Sequence, residues 1–412
     1  MSAEPSSNYD VLIAGGGMVG ASLACALAQL PLRIGVVEPV PLSSGAQPSF
    51  DLRTTALSRT SQRILDSLGL WSEVASRAAC IRRIHVSEQG RFGTTVIDAE
   101  QQAVPALGYV LENRVLGAAM WGRLEATDNV DMLCPATIDT ATVADATITA
   151  SLGGETFAGA AQARLLVVAD GAGSRLRAAL GVPAQTRSYE QTAIVGTVKV
   201  AHPGDGVTAF ERFTPQGPMA MLPAGDGRYV FVLTAGEDAV AATLALDDGA
   251  FRDLLQARFG FRLGRIGRVG QRGSYPLALT CAQQLKTTRA AIVGNAAHGL
   301  HPVAGQGYNL GLRDAATLAE LLADNLRSGE PDPGSDTLLA EYAAWREQDQ
   351  RNVVAFTDGL VRGFELPAQV LGSLRGLGLA AFDVLPGAKT ILAQTTMGLG
   401  GRQTRLARGM PL

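Results

Sequence analysis

Tyr9-Asp10-Val11-Leu12-Ile13-Ala14-Gly15-Gly16-Gly17-Met18-Val19-Gly20 is the stretch that decides the fold. An apolar run ends in three glycines and passes directly into an Ala- and Leu-rich segment. The pattern predicts a short buried strand over 9–14, a tight turn, and a helix over 18–30. A second apolar run over 33–37 predicts another buried strand, closed by Glu38. The hexad from Gly15 to Gly20 fits G-x-G-x-x-G in the strand–turn–helix context that the motif requires. Gly15 allows the turn, Gly17 lets backbone approach a pyrophosphate, and Gly20 lets the helix pack closely on the strand. The diphosphate would rest on free N–H groups at the helix start. Glu38 stands where a carboxylate accepts hydrogen bonds from an adenosine ribose. The hexad alone does not separate FAD from NAD. No second hexad has the same context, so one nucleotide has a site of this type.

Working outward, helices are expected over 60–79 and 113–126, with strands over 81–104 and a buried strand over 164–169. Strand-like runs dominate 192–280, with one helix near 250–259. A further buried strand is expected over 290–293, and the chain is mostly helical after Gly307. A βαβ start, a β-rich middle and a return to one strand and long helices imply an α/β fold. Its parallel nucleotide-binding sheet carries a second sheet as an insertion. The expected division is discontinuous. Residues 1–79, 107–183 and 286–360 form the Rossmann-type domain. Residues 80–106 and 184–285 form a β-rich substrate domain, and 361–412 a helical C-terminal region with a basic tail.

Composition narrows the classes. The chain has 412 residues, 47% hydrophobic and 18% charged, which excludes a disordered protein. Lys and Arg number 35 against 38 Asp and Glu, so there is no basic excess for nucleic acid. Cys25, Cys80, Cys134 and Cys281 form no C-x-x-C pair, and neither they nor the four histidines show metal-ligand spacing. No metal site is expected, and a reduced cytoplasmic setting fits. The scarcity of lysine and abundance of Ala and Gly fit a bacterial genome of high GC content. The uncharged run 11–30 is long enough to span a bilayer, but it holds the glycine triplet and lacks a basic flank, so no span or signal peptide is expected. Residues 364–392 are rich in Leu and small residues, and Arg402, Arg405 and Arg408 follow. Two readings are open there: packed helices with a frayed end, or an apolar surface with a basic rim that touches anionic lipid.

Two more segments carry special residues. Asp170-Gly171-Ala172-Gly173-Ser174-Arg175-Leu176-Arg177 follows a buried strand. Gly294-Asn295-Ala296-Ala297-His298 is followed by His301-Pro302-Val303-Ala304-Gly305-Gln306-Gly307-Tyr308-Asn309 and then Leu310-Gly311-Leu312-Arg313-Asp314. With the first hexad, these three motifs resemble the single-component FAD-dependent aromatic hydroxylases, in the same order. Asn295 stands where many members have Asp; an amide still hydrogen-bonds a ribitol or ribose hydroxyl. Phe210-Glu211-Arg212-Phe213-Thr214, Gly217-Pro218-Met219-Ala220-Met221-Leu222-Pro223 and Tyr275-Pro276-Leu277-Ala278-Leu279-Thr280 look like the ubiquinone-biosynthesis branch.

The resemblance implies an FAD monooxygenase that uses NADPH or NADH and O2. It would hydroxylate the ring of a prenylated phenol of the 2-polyprenyl-6-methoxyphenol type. A related hydroxylase for another position or substrate, and a flavin-binding scaffold of a ubiquinone-making assembly, are the alternatives. The resemblance further implies that the 302–309 loop lies against the flavin, with Pro302, Gly305, Gly307 and Asn309 in contact with the cofactor. Arg53 and Arg114 are expected near FAD or the nicotinamide cofactor. Asp170, Gly171 and Asn295 are expected at FAD, with Arg175 and Arg177 shaping the path for NAD(P)H. His301 is the candidate base for the phenol, and His298 is expected to hold the loop. Phe213, Met221 and Leu222 are expected to line an apolar tunnel for the prenyl tail. Partners beyond the substrate would be other ubiquinone-biosynthesis proteins and the inner-membrane surface.

Overall fold

The computed structural model describes residues 8–42, 47–51, 53–154, 156–329, 331–365 and 386–412. The opening strand spans Asn8–Ala14 and is buried from Val11 to Ala14. It lies inside a sheet whose order is Lys286–Thr287, Ala290–Ile292, Gly159–Val168, Asn8–Ala14, Ile34–Val37 and Val130–Leu133. All the pairings from Ala290–Ile292 to Val130–Leu133 are parallel. A parallel sheet is covered on both faces, so its strands read as continuous apolar runs such as Ile34-Gly35-Val36-Val37. The hairpin Thr137–Val143 and Ile148–Gly153 extends the Gly159–Val168 strand antiparallel. The helix Met18–Leu27 packs between helices Gln306–Asn325 and Asn113–Glu125. Close approach is possible because Gly311 faces Val19: a Cβ there would stand 2.6 Å from the Val19 Cγ2.

The second sheet has eight strands, in the order His298–Gly299, Ile266–Ala282, Ala184–Val200, Arg228–Gly236, Gly217–Pro223, Thr208–Thr214, Arg83–Glu88 and Thr94–Asp98. Its residues alternate between two faces, as the pleat requires. Met219, Met221, Phe231 and Leu233 pack on Phe251, Leu255 and Phe259 of the helix Asp248–Phe259. The opposite face turns toward the parallel sheet. A small sheet of Thr54–Ser58, Gly108–Glu112 and Ala79–Ile81 sits beside them. The α/β class, the Rossmann-type parallel sheet, the inserted β-sheet and the helical C-terminal region agree with the sequence reading. An additional helix, Glu237–Leu244, was not foreseen.

The uncharged run 11–30 is divided between the first strand and the first helix. Among the described residues no helix is long and apolar enough to cross a membrane. Most of 364–392, where an apolar surface is one of the two expected readings, lies outside the described residues. The expectation of a frayed end needs correction. Leu406 and Ala407 are buried, Ser67 Oγ donates to Leu406 O at 3.0 Å, and Arg405 pairs with Asp324 at 2.7 Å. Arg402 lies 3.5 Å above the Trp345 ring and 3.7 Å from Glu341. Two of the three tail arginines are therefore held by acidic side chains of the fold.

Candidate active site between the two sheets

The inner face of the second sheet and the ends of the parallel strands enclose a cavity of about 1290 Å³. Three turns converge on it.

The first turn is the glycine hexad. Gly15 has φ +105°, and a Cβ there would lie 2.5 Å from Ala169 O, so only glycine fits. A Cβ on Gly20 would fall 1.9 Å from Gly15 O, which explains how the helix docks so close to its own turn. Gly17 precedes the helix with no side-chain cap and lines the cavity. The first-turn N–H groups of such a helix have no intrahelical partner. Gly16 is clamped from two sides: its N–H donates to Glu38 Oε2 at 2.8 Å, and its carbonyl accepts from Trp121 Nε1 at 3.0 Å. Glu38 Oε1 accepts from Val40 N–H at 3.0 Å. Burial raises the Glu38 carboxyl above its ordinary range, opposed by these backbone bonds. Glu38 is buried and braces the turn from behind rather than standing on the cavity wall.

The second turn follows Gly159–Val168. Ala169, Gly171 and Ala172 line the cavity, while Asp170 is exposed beside them. Ser174 caps the short helix Arg175–Ala179 by accepting from Arg177 N–H at 3.0 Å. The expectation that Arg177 shapes a path for NAD(P)H is corrected. Its side chain is buried, and Nη1 donates to Ala296 O at 2.7 Å, tying the second turn to the third.

The third turn is built on Asp314. Its Oδ2 accepts from Gly294 N–H at 3.0 Å and bonds His298 Nε2 at 2.6 Å. Its Oδ1 accepts from Arg346 Nε at 2.7 Å and Gln350 Nε2 at 3.2 Å. Burial would raise this carboxyl, yet the His298 and Arg346 contacts hold it far below the usual range. The network fixes the turn Gly294–Ala296, where Asn295 is exposed on the cavity wall. His298 holds the loop, as expected.

Pro302, Gly305, Gly307 and Asn309 all line the cavity. Ala304 and Gly305 adopt left-handed φ values of +58° and +61°. Gly305 precedes the helix Gln306–Asn325, which has no side-chain cap. Asn309 spends its amide on the fold. Oδ1 accepts from Ser58 N–H at 2.8 Å and Ser61 Oγ at 2.7 Å, and Nδ2 donates to Ala56 O at 2.8 Å and Gly305 O at 2.7 Å. Arg53 and Arg114 lie on the rim, paired with Asp51 at 2.6 Å and Glu112 at 2.7 Å; Arg53 also sits 5.8 Å from the Tyr275 ring.

Two further expected site residues stand off the cavity wall, as Glu38 does. His301 is buried off the cavity wall. Its Nδ1 accepts from Val303 N–H at 3.2 Å and its ring meets Tyr189 edge-on at 5.1 Å. Burial lowers it to about 4, so it is neutral and badly placed for a base. Met221 faces the helix Asp248–Phe259, because strand alternation puts only Ala220 and Leu222 of that strand toward the cavity. Phe213 and Leu222 do line the wall. The sequence reading missed Glu211, which lies on the cavity face of Thr208–Thr214. Its signal was an acid in an alternating strand that is otherwise apolar on that face.

FAD fits what these residues form. Glycines replace side chains where backbone must approach, two helices start uncapped at the cavity, and the volume suits an elongated dinucleotide beside a ring substrate. Residues 8–357 match a family model described as FAD binding domain. The ubiquinone hydroxylase UbiL of Rhodospirillum rubrum is 40% identical, over 98% of this chain and 93% of that protein. The 3-demethoxyubiquinol 3-hydroxylase of Escherichia coli is 33% identical, over 91% and 94% respectively. The p-nitrophenol 4-monooxygenase PnpA of Pseudomonas putida shares the fold, with TM-score 0.79 at 19% identity over 97% of this chain and all of that one. The chain therefore belongs to the FAD-dependent aromatic hydroxylases, in their ubiquinone-biosynthesis branch, and is an FAD-dependent monooxygenase.

Proposed function

We propose that this protein hydroxylates the ring of a polyprenylated phenol of the 2-polyprenyl-6-methoxyphenol type, with NADPH or NADH as reductant and O2 as oxygen donor. The observation that carries this reading is the two-sided cavity. One side is a set of backbone cradles, and the other is an apolar wall with Phe213, Leu222, Val230 and Ile97. The cavity continues to Phe356, Leu360 and Leu392, an apolar route for a prenyl tail. Residues 1–79, 107–183 and 286–360 are assigned to the cofactor side, and 80–106 and 184–285 to the substrate side.

Bound FAD supplies the redox and oxygen-activating chemistry. Gly15, Gly17 and Gly20 shape the seat of its diphosphate, and Glu38 keeps the turn rigid behind it. Asp170, Gly171, Asn295, Arg53 and Arg114 are the polar groups placed to hold its remaining parts. Pro302, Gly305, Gly307 and Asn309 form the platform for the ring system. The uncapped start of Gln306–Asn325 directs N–H groups and the positive end of a helix dipole at that platform, which favours negative charge there.

The test is one cuvette. Purified protein with FAD receives NADPH or NADH and a short-chain 2-prenyl-6-methoxyphenol. Flavin absorbance, substrate-stimulated oxidation of the reductant and a product heavier by one oxygen are expected. Protein that takes up no FAD would overturn the reading. Flavin bands without turnover favour the scaffold alternative. The relative named for hydroxylation at position 3 of demethoxyubiquinol makes the ring position a separate question, which product structure answers.

A further inference from the structure

Glu211 sits on the strand Thr208–Thr214, opposite Val86 on one neighbour and Ala220 on the other. The three residues share the face that turns to the cavity, and Val86, Glu211 and Ala220 all line it. Among the described residues lining the cavity, Glu211 is the sole carboxylate that the second sheet contributes. Its surroundings on that wall are apolar: Ile84, Phe213 and Leu222. The loop of Pro302, Ala304 and Gly305 lines the same cavity and brings the Ala304 N–H to the Glu211 carboxylate. An acid placed there is costly unless a ligand uses it.

Resting on the function proposed above, we propose that Glu211 receives the hydroxyl of the substrate phenol and takes its proton. The step balances simply. The phenol O–H bond breaks, a carboxyl O–H bond forms, and the electron pair stays on the phenolate oxygen, from which it enriches the ring for attack on the activated oxygen. Burial pushes the Glu211 carboxyl up to about 8, with the Ala304 N–H opposing, which brings its basicity closer to that of a phenolate than an ordinary carboxylate's. No charged group contributes to that shift. The other ionisable groups of the cavity are Asp51, Arg53, Glu112, Arg114, Arg228, Arg272, Tyr275 and Tyr308. Of these, Asp51 and Arg53 pair with each other, as do Glu112 and Arg114.

The experiment uses the FAD-loaded protein and two probes, a short-chain 2-prenyl-6-methoxyphenol and its O-methyl ether. At pH 9 the wild type is expected to bind the phenol about 10- to 100-fold more tightly than the ether, the worth of a hydrogen bond to a charged group. Glu211→Gln is expected to bring the two within about 3-fold, because an amide cannot take the proton. Its product formation should fall roughly 100-fold or more, and its kcat/KM should lose the rise with pH centred near the Glu211 ionisation. FAD content and thermal midpoint establish that the variant folds. A folded Glu211→Gln that keeps the phenol preference and the pH profile overturns the proposal and leaves the proposed function standing. Equal binding of phenol and ether by the wild type overturns it without any variant. A wild type that neither binds nor oxidises any prenylphenol brings down the function and the role of Glu211 together.

Discussion

Asp314→Asn tests whether the third turn depends on one buried carboxylate. Asp314 is fully buried and accepts from Gly294 N–H, His298, Arg346 and Gln350. The amide offers one acceptor oxygen and turns an NH2 group on donors. It also leaves the 2% exposed Arg346 with Asp349 alone, at 2.7 Å. Breaking a buried ion pair by removing one partner costs about 3–5 kcal/mol. At about 2.1 cal/mol/K of unfolding entropy per residue, 412 residues convert that into a midpoint lowered by roughly 3–6 °C. The assay is calorimetry of the FAD-free protein, followed by titration with FAD. Affinity should fall as well, because Gly294–Ala296 carries Asn295 to the cavity. The double variant Asp314→Asn with Arg346→Gln should lose less than the two single losses added together, since it removes both charges of the buried pair. A midpoint within 1 °C of the wild type, roughly 1 kcal/mol at this chain length, would refute the reasoning.

Gly20→Ala places a methyl against Gly15 O, so about 1–3 kcal/mol of overpacking and at least tenfold weaker FAD binding are expected by titration. Gly122→Ala is the matched control: nothing lies within 4 Å of its Cβ, and inside the helix Asn113–Glu125 it should gain roughly 0.5–1 kcal/mol. For His301, the folded form binds its proton less readily than the unfolded chain. Its stabilising contribution is therefore complete above about pH 6.5 and is lost as pH falls toward 4. That window is worth about 3 kcal/mol, so His301→Asn should decline by about that much less between the two pH values in denaturant titrations. Parallel curves for the two proteins would contradict this. Met221→Ala should cost about 2–5 kcal/mol with KM for the prenylphenol unchanged, whereas Leu222 is half-buried against Ile81, Ile97 and Val230, so Leu222→Ala should cost less and raise KM several-fold.

The parallel sheet was legible because its signals are local. Four apolar residues from Val11 to Ala14, a glycine turn and a helix lie within one short segment, and the buried strands at Gly159–Val168 and Ala290–Ile292 carry the same signature. The turn chemistry of Gly15 and Gly20 follows from backbone sterics and needs no knowledge of distant residues. The distant partners were not legible. Whether Met221 or Leu222 faces the cavity depends on which side of a strand the helix Asp248–Phe259 covers, and a one-residue change of register inverts the answer. The sequence sets Arg177 beside the path for NAD(P)H because Ala296, which receives it, comes from another part of the chain. Asp314 was quoted within its motif, yet its role rests on Arg346 and Gln350 from a later helix. Glu211 was passed over for the same reason: its isolation is a property of the folded wall.

The order of strands in the parallel sheet has a consequence for how the chain reaches its native state. Leu12 pairs with Leu166, and Leu166 with Ala290, so the middle of that sheet is assembled from segments separated by the whole inserted β-domain. Such contacts close very large loops, and high contact order slows folding. On a ribosome, the first strand and its helix emerge long before the segment that completes their sheet, while the antiparallel hairpins of the second sheet pair with near neighbours. The consecutive hairpins from Thr208 to Gly236 are thus placed to form early, and the later pairing of Ala184–Val200 with Ile266–Ala282 brings the two distant parts of the parallel sheet together. Until Ala290–Ile292 arrives, the strand Gly159–Val168 stays open from Leu166 to Val168, beyond the part that Ile148–Gly153 covers, and that interval is when this chain is most exposed to aggregation.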